Sequence, residues 1–536
     1  MLSLLAALIW IASESEKVRP DAQPPPAAQA PRFALAAAGG ECVGAQVIIR
    51  GPARGFSAAA AELKDAAGRA VPVSLARVAV IRTIYPSGPD GVPGEWPDAL
   101  IPARDALYGE ERRAFPVDVP SGRAQAIFFE ACPAAGAGPA RYGGAVKLTW
   151  QGGSAEVPVE LRVRGFDLPA TPALATAYGF SGYSAAKGHG LPPSAARALT
   201  RDYDLLALRR GITLMGGTQD APAHRFQGDE AIIDWAAYDA EVGAFLDGTA
   251  LSSGARWTSV ELREPGKLTR AQRRSWRRAW VSHFRERGWL DRLYRYVIDE
   301  PSPKALRHVE ELAREVRDDA PEVRRLVTTV PSDELPSVDL YVPLVNCVGE
   351  ANPTCRKPAE GVRWWYQSCM SHGCRTDGKP VLDEAFRGWP SYMIDAPAVA
   401  ARAMGALAFA RGITGELYFD TVYAYDVSDP WRTQWAFAGN GDGTLYYPGK
   451  PALIGGKHDV PVESLRLVQI ARSLADYGYL ALCAQLGDQA LALDEARALA
   501  PTARTWSRDP RAYTAMRERV GARIEALVAQ RKLGAR

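Results

Sequence analysis

From about residue 175 to residue 482 the chain alternates between short strand-like runs and longer stretches with helical spacing, and that alternation constrains the fold most. Ala175 to Phe180, Gly211 to Met215, Leu293 to Ile298, Arg325 to Val330, Val338 to Pro343, Val362 to Gln367 and Gly415 to Phe419 read as strands. Ser194 to Arg210, Trp235 to Leu246, Arg270 to Gly288, Lys304 to Arg317, Ala398 to Arg411 and Ser464 to Leu482 read as helices. In the helix from Arg270, Trp276, Trp280 and Phe284 recur every four residues and share one face, which reads as core packing. Leu306, Val309, Leu312 and Val316 make the buried face of the next helix. Strands joined through helices pair in parallel, because the crossover returns the chain to the same end of the sheet. The expected class is therefore α/β, with residues 168–484 closed as a (β/α)8 TIM-like barrel.

The chain ahead of this has a different grammar. Over residues 33–167, short runs separated by Gly/Pro-rich turns carry no helical spacing. In Glu156 to Arg164 the apolar Val157, Val159, Leu161 and Val163 alternate with Glu160, Arg162 and Arg164, the pattern of a half-buried antiparallel strand. Ala45 to Arg50, Leu75 to Ile81, Ala124 to Glu130 and Ala145 to Trp150 are similar, so a β-sandwich is expected. Phe166 to Pro169 and Pro172 read as the linker. After Gln485 the chain is helical, with Tyr513, Met516, Val520, Ile524 and Leu527 on one stripe, and residues 485–536 are read as a packing tail. At the other end, Met1 to Ala12 is an apolar run too short to span a bilayer. Followed by the Pro/Ala spacer Gln23 to Pro31, residues 1–32 are read as an export signal and spacer. That reading implies a secreted or cell-envelope location and no integral membrane segment beyond the signal.

The net charge of +3 on 536 residues leaves no basic footprint for nucleic acid. Of the seven cysteines, Cys347, Cys355, Cys369 and Cys374 lie in one region, where an oxidising compartment pairs them in an order that spacing does not give. Only His372 lies among them and no Cys-x-x-Cys occurs, so no metal site and no cofactor is expected.

The chemistry gathers where the strand from Leu293 ends in Asp299 and Glu300, stopped by Pro301. Neighbouring side chains on a strand point to opposite faces, so two adjacent acids serve one pocket only where the strand gives way to a turn. Proline marks such a place, having no amide hydrogen for the ladder. Barrel sites lie at the C-terminal ends of strands, where Asp299, Glu300, Tyr366 and Asp420 all fall. Acids among aromatic residues suit a glycoside, whose apolar ring faces stack on Trp and Tyr while its hydroxyls need polar partners. Trp364, Trp365, Tyr366, Tyr418, Asp420, Trp431, Asn440 and Asp442 are the candidate contacts. Trp364 and Trp365 point opposite ways on a strand, so one at most faces the pocket. The turn Gly439 to Gly443 is neither an EF-hand loop nor a dinucleotide fingerprint.

Adjacency also limits mechanism. Two carboxyls working on opposite faces of a sugar stand about 5 Å or more apart and come from different strands. Neighbours fit a substrate-assisted route, in which the sugar's 2-acetamido oxygen attacks the anomeric carbon. One acid orients that amide and the other protonates the leaving oxygen.

The chain resembles glycoside hydrolase family 123, the β-N-acetylgalactosaminidases, and a related uncharacterised domain family. The resemblance rests on Tyr296 to Pro301, Trp364-Trp365-Tyr366, Gly415 to Tyr418, Gly439 to Gly449, and Val460 to Arg466 leading to Asp476-Tyr477. It extends more weakly to Trp96 to Pro102. It implies hydrolysis of a terminal β-linked N-acetylhexosamine, with Asp299 polarising the acetamido group and Glu300 as general acid/base. Phe419 departs from it, standing where relatives often carry Trp after Leu-Tyr, and the Cys347 to Cys374 region is individual. The alternatives are a barrel glycosidase for another sugar and a non-catalytic carbohydrate-binding surface protein.

Overall fold

A computed structural model describes residues 7–26, 31–216, 221–349, 355 and 361–534. The fold is mixed α/β. Its first part is two antiparallel sheets. One runs Leu8–Ser13, Val43–Arg50, Ala124–Ala131, Val73–Thr83, Gly94–Pro102 in spatial order. The other follows the path Phe33–Gly39, Gly153–Asp167, Ala140–Trp150, Ala53–Ala60, Val117–Val119, with Phe33–Gly39 joined in parallel. Val47, Ile49, Ile127 and Phe129 of the first sheet meet Val146, Leu148, Val157, Val159 and Leu161 of the second in one core. The first sheet is also covered on its other face, where Ile48, Val78, Leu100 and Phe128 pack with Leu465 and Val468 of the long helix Leu465–Gln485. Burial on both faces is why Val43–Arg50 reads as a nearly unbroken apolar run.

The N-terminal segment departs from the expected signal. Leu8–Ser13 is an edge strand antiparallel to Val43–Arg50, with Trp10 buried. The residues after it reach the helical side. Glu14 pairs with Arg472 at 2.8 Å, the Ser15 hydroxyl donates to Gln469, and Lys17 Nζ donates to the carbonyls of Met393, Ile394 and Ala396. A run of this length and apolarity fits a strand as well as a signal core, and here its pairing partner lies some forty residues away. Residues 1–6 of the run and 27–30 of the spacer lie outside the described residues.

Among the described residues, the second part holds eight short parallel strands in two groups of four. Their spatial orders are Leu214–Met215, Ala175–Gly179, Gly415–Tyr418, Trp364–Gln367 and Val260–Glu261, Leu293–Ile298, Arg324–Val327, Leu340–Tyr341. A parallel bridge from Leu344 to Tyr366 connects the groups at one junction. At the other, the Thr258 amide donates to Thr213 Oγ1 at 2.9 Å. The last strand pairs with the first, so neighbours in space follow chain order all the way round. Inside lies one cluster: Ala177, Tyr294, Leu326, Leu340, Val342, Trp364, Tyr366 and Leu417. Helices Ala196–Arg209, Trp235–Asp247, Arg270–Glu286, Leu306–Asp319, Val399–Ala410 and Leu465–Gln485 stand at the expected places. Trp276, Trp280 and Phe284 are core residues of the outer layer. Val260–Glu261 is a strand that sequence reading passes over, and the link from Val327 to Leu340 has no helix.

Tyr513, Met516, Val520 and Ile524 of the last helix, Pro510–Gly534, pack fully buried against the rest. Charged contacts join the two parts. Arg210 bonds Glu130 and Glu463 at 2.7 and 2.6 Å, Arg472 bonds Glu14 and Glu130, and Arg466 bonds Asp98. Disulfides link Cys42 to Cys132, Cys347 to Cys355 and Cys369 to Cys374, leaving Cys483 as a buried thiol.

Candidate active site

The strand Leu293–Ile298 delivers Asp299 and Glu300 at its C-terminal end, both exposed. Glu300 has φ of 41°, in the left-handed region that a glutamate occupies only under constraint. The turn supplies that constraint. The Glu300 amide donates to Thr328 Oγ1 at 2.7 Å, and the same hydroxyl donates to Asp299 Oδ1 at 2.9 Å. Tyr296 adds a second donor to Asp299 Oδ1, at 2.6 Å. Two hydroxyls on one oxygen hold the carboxylate in place. Tyr366, from the strand Trp364–Gln367, donates its hydroxyl to Glu300 Oε1 at 2.5 Å. Each acid is thus exposed and has one oxygen held by the protein. Burial, then the bond to its carboxylate, pushes each phenol, Tyr296 and Tyr366, well above the ordinary tyrosine range, so both remain donors.

The other predicted contacts divide sharply. Tyr366 meets the acid pair. Trp364 and Trp365 do face opposite ways, but neither reaches the mouth: Trp364 is in the inner cluster near Arg324, and Trp365 is in the outer core, donating to Glu416 at 2.9 Å. Tyr418 is fully buried on the outer side of its strand, its hydroxyl 3.1 Å from Asp442 Oδ1. Asp442 is itself buried, accepting the Cys369 amide and lying 3.2 Å from His372 Nε2. Asn440 ties the mouth loops to the sandwich, its side-chain nitrogen donating to the Tyr85 carbonyl and to Ser87 Oγ. Trp431 donates to the Pro448 carbonyl and lies against Tyr447 in a tilted arrangement. These four polar and aromatic groups are engaged in holding loops. Cys369 approaches His372 and Asp442 as a metal ligand would, yet its sulfur is bonded to Cys374.

Asp420 is half-buried just past the strand Gly415–Tyr418, its Oδ1 accepting the amides of Thr421 and Val422 at 2.6 and 2.8 Å. Burial pushes its carboxyl up to about 7, against the two amides, which pull it down. A carboxyl whose folded pKa exceeds its unfolded value holds its proton in the native state after the unfolded chain has lost it. Stability therefore falls as pH rises from about 4 to about 7, with a slope of at most about 1.4 kcal/mol for each tenfold drop in proton concentration. Asp420→Asn keeps the amide-accepting oxygen and removes the titration. Its Tm is expected to match wild type near pH 4 and to exceed it increasingly towards pH 7. Parallel melting curves across that range would disprove the buried ionisation.

Tyr296 and Thr328 were not anticipated. Tyr296 sits within the Asp-Glu motif and Thr328 just past the neighbouring strand. The available signal was the two-residue step from Tyr294 to Tyr296 along one face and the level of Thr328 beside Asp299.

Residues 274–483 match the family model described as glycoside hydrolase 123, catalytic domain, a span that contains the acid pair, Thr328, Tyr366 and Asp420. The whole chain is similar in fold to a family 123 glycoside hydrolase from Clostridium perfringens, studied for glycolipid glycan hydrolysis. The TM-score is 0.63 at 11% identity, covering 98% of each chain. A β-glucuronidase from Bacteroides uniformis aligns at 11% identity over 84% of this chain and 51% of its own, with TM-score 0.26. No curated protein matches the chain in sequence. The protein is a glycosidase. The resemblance to glycoside hydrolase family 123 is borne out over the stretch that carries the acids. No helix among the described residues is long and apolar enough to cross a membrane.

Proposed function

We propose that the protein hydrolyses terminal β-linked N-acetylgalactosaminides by substrate-assisted catalysis. The observation that carries this reading is the unequal holding of two adjacent acids at one strand end. Asp299, clamped through Oδ1, accepts the N–H of the 2-acetamido group on Oδ2. The amide oxygen then attacks C1, the bond from C1 to the glycosidic oxygen breaks, and Glu300 gives its proton to the departing oxygen. Water next attacks C1 of the oxazolinium while Glu300 takes its proton, the C1 to amide-oxygen bond opens, and the β configuration is retained. No protein nucleophile is used. Tyr366 occupies Glu300 Oε1, leaving Oε2 to carry the travelling proton.

The accompanying architecture is a (β/α)8-like catalytic barrel over residues 168–484, a supporting β-sandwich over 33–167 and a helical tail from 485. The chain-order ring of parallel strands supports it. The three disulfides support a secreted or cell-envelope location. A glycolipid glycan is the natural substrate class to try first, by likeness to the Clostridium perfringens enzyme.

The test is hydrolysis of 4-nitrophenyl β-N-acetylgalactosaminide beside the N-acetylglucosaminide and the plain galactoside, with an N-acetylgalactosamine-thiazoline as inhibitor. Turnover confined to acetamido sugars and blocked by the thiazoline is expected. Equal turnover of the plain galactoside would exclude participation of the acetamido group.

A further inference from the structure

The hairpin Trp435–Ala436 and Gly439–Asn440 turns through just two residues, Phe437 and Ala438. Their φ values are 50° and 65°. Two positive φ angles in a two-residue hairpin are what Asn-Gly normally supplies, because in the left-handed region Cβ crowds the following carbonyl oxygen. A phenylalanine there is costly, and such strain concentrates where a side chain must be aimed.

The aim is visible. The Phe437 ring lies 4.8 Å from Tyr423 and 5.6 Å from Phe419, and those two are 6.1 Å apart. All three are half-buried, each keeping part of its surface open. Gly443, at φ of 67°, closes the trio from behind: a Cβ there would stand 2.5 Å from Phe419 Cζ. Phe419 directly follows the strand Gly415–Tyr418, at the end where Asp299 and Glu300 leave theirs. In the ring of eight, those two strands are four places apart, so Phe419 leaves the ring at the same end as the acids and on the opposite side.

We infer that Phe437, with Phe419 and Tyr423, is the apolar platform for the substrate's sugar ring, and that the strained turn aims it. The inference rests on the glycosidase reading and adds a specificity to it. An axial 4-hydroxyl, as in the galacto series, leaves C3 to C6 of the opposite ring face as a continuous apolar patch. An aromatic ring stacks on that patch better than on the same face of the gluco series, where the hydroxyl is equatorial.

The experiment is the double substitution Phe437→Asn with Ala438→Gly. It gives the turn the residues its φ angles favour, so Tm is expected to rise by a few degrees. KM for 4-nitrophenyl β-N-acetylgalactosaminide is expected to rise roughly tenfold, the scale of one lost aromatic contact, and kcat much less. The preference for the galacto over the gluco substrate should shrink, while Phe437→Trp retains it. A KM within about twofold of wild type, or a lower Tm, overturns the inference, the second by making the ring a packing residue. If the wild-type enzyme turns over no acetamido sugar, binding to immobilised glycans ending in N-acetylgalactosamine decides. Binding by wild type that the double variant loses supports the platform while removing the proposed reaction. Equal binding, or none by wild type, overturns it.

Discussion

Asp299→Asn is expected to lose activity on every aryl N-acetylgalactosaminide to a similar degree, whereas Glu300→Gln loses it in proportion to how poor the leaving group is. The two acids sit on one turn, yet the proposed mechanism gives them different tasks. Asp299 receives the hydroxyls of Tyr296 and Thr328 on a single oxygen, a geometry that fixes an acceptor for an amide N–H. Polarising the acetamido group is needed whatever leaves, so its loss is independent of the aglycone. In that mechanism Glu300 is the residue that protonates the leaving oxygen. A 2,4-dinitrophenolate departs without that proton, so Glu300→Gln should retain most of its first-step rate on the dinitrophenyl glycoside. On a 4-methoxyphenyl glycoside or an oligosaccharide the same variant should fall about a hundredfold to ten-thousandfold, the usual worth of a general acid. The measurement is kcat/KM against leaving-group pKa for both variants. A Glu300→Gln loss that does not vary with leaving group would remove it as the acid. A near-wild-type Asp299→Asn would remove the acetamido mechanism.

Much of this was legible in the sequence, for reasons that differ from residue to residue. Val157, Val159, Leu161 and Val163 announced their strand because they line one buried face while Glu156, Pro158 and Glu160 beside them are exposed. The acid pair was legible because Pro301 breaks the ladder beside it, and the opposite facing of Trp364 and Trp365 follows from the pleat alone. Asn440, Asp442 and Trp431 read differently in the sequence and in the structure for the converse reason. A Gly-rich turn dense in polar groups looks like a ligand loop, but the partners that occupy these groups are Tyr85, Ser87, His372 and Pro448. All but the last lie far off in sequence. Thr328 escaped because an isolated threonine past a strand has no signature of its own; its role exists only beside Asp299. Val260–Glu261 is two residues long, below what any periodicity can register. The strand Leu8–Ser13 needed the register with Val43–Arg50 to be told from a signal core.

Asp98→Ala is expected to be the most destabilising single change considered, at about 3–5 kcal/mol. Arg466 is buried in the seam between sandwich and helical layer, and its guanidinium contacts both oxygens of Asp98, at 2.8 to 3.1 Å. It also donates to the carbonyls of Tyr392, Gly441 and Thr444 and to Gln434 Oε1. Tyr447 donates to Asp98 at 2.6 Å. Removing Asp98 leaves a cation that has lost its water and its counter-charge together, and a buried phenol without its acceptor. Losing both charges is milder, so Asp98→Leu with Arg466→Met should recover part of the stability lost by Asp98→Leu alone. Recovery stays incomplete, because Arg466 also ties the carbonyls of the turn that contains Gly441 and Gly443. That turn backs Phe419, so activity of the double variant should remain low even where its fold is restored. Denaturant unfolding of the three variants, read by tryptophan fluorescence beside activity, separates the contributions. A cost below about 1 kcal/mol for Asp98→Ala would mean that the pair is solvated and that the seam is held by its apolar neighbours, Leu465 and Val468 against Leu100.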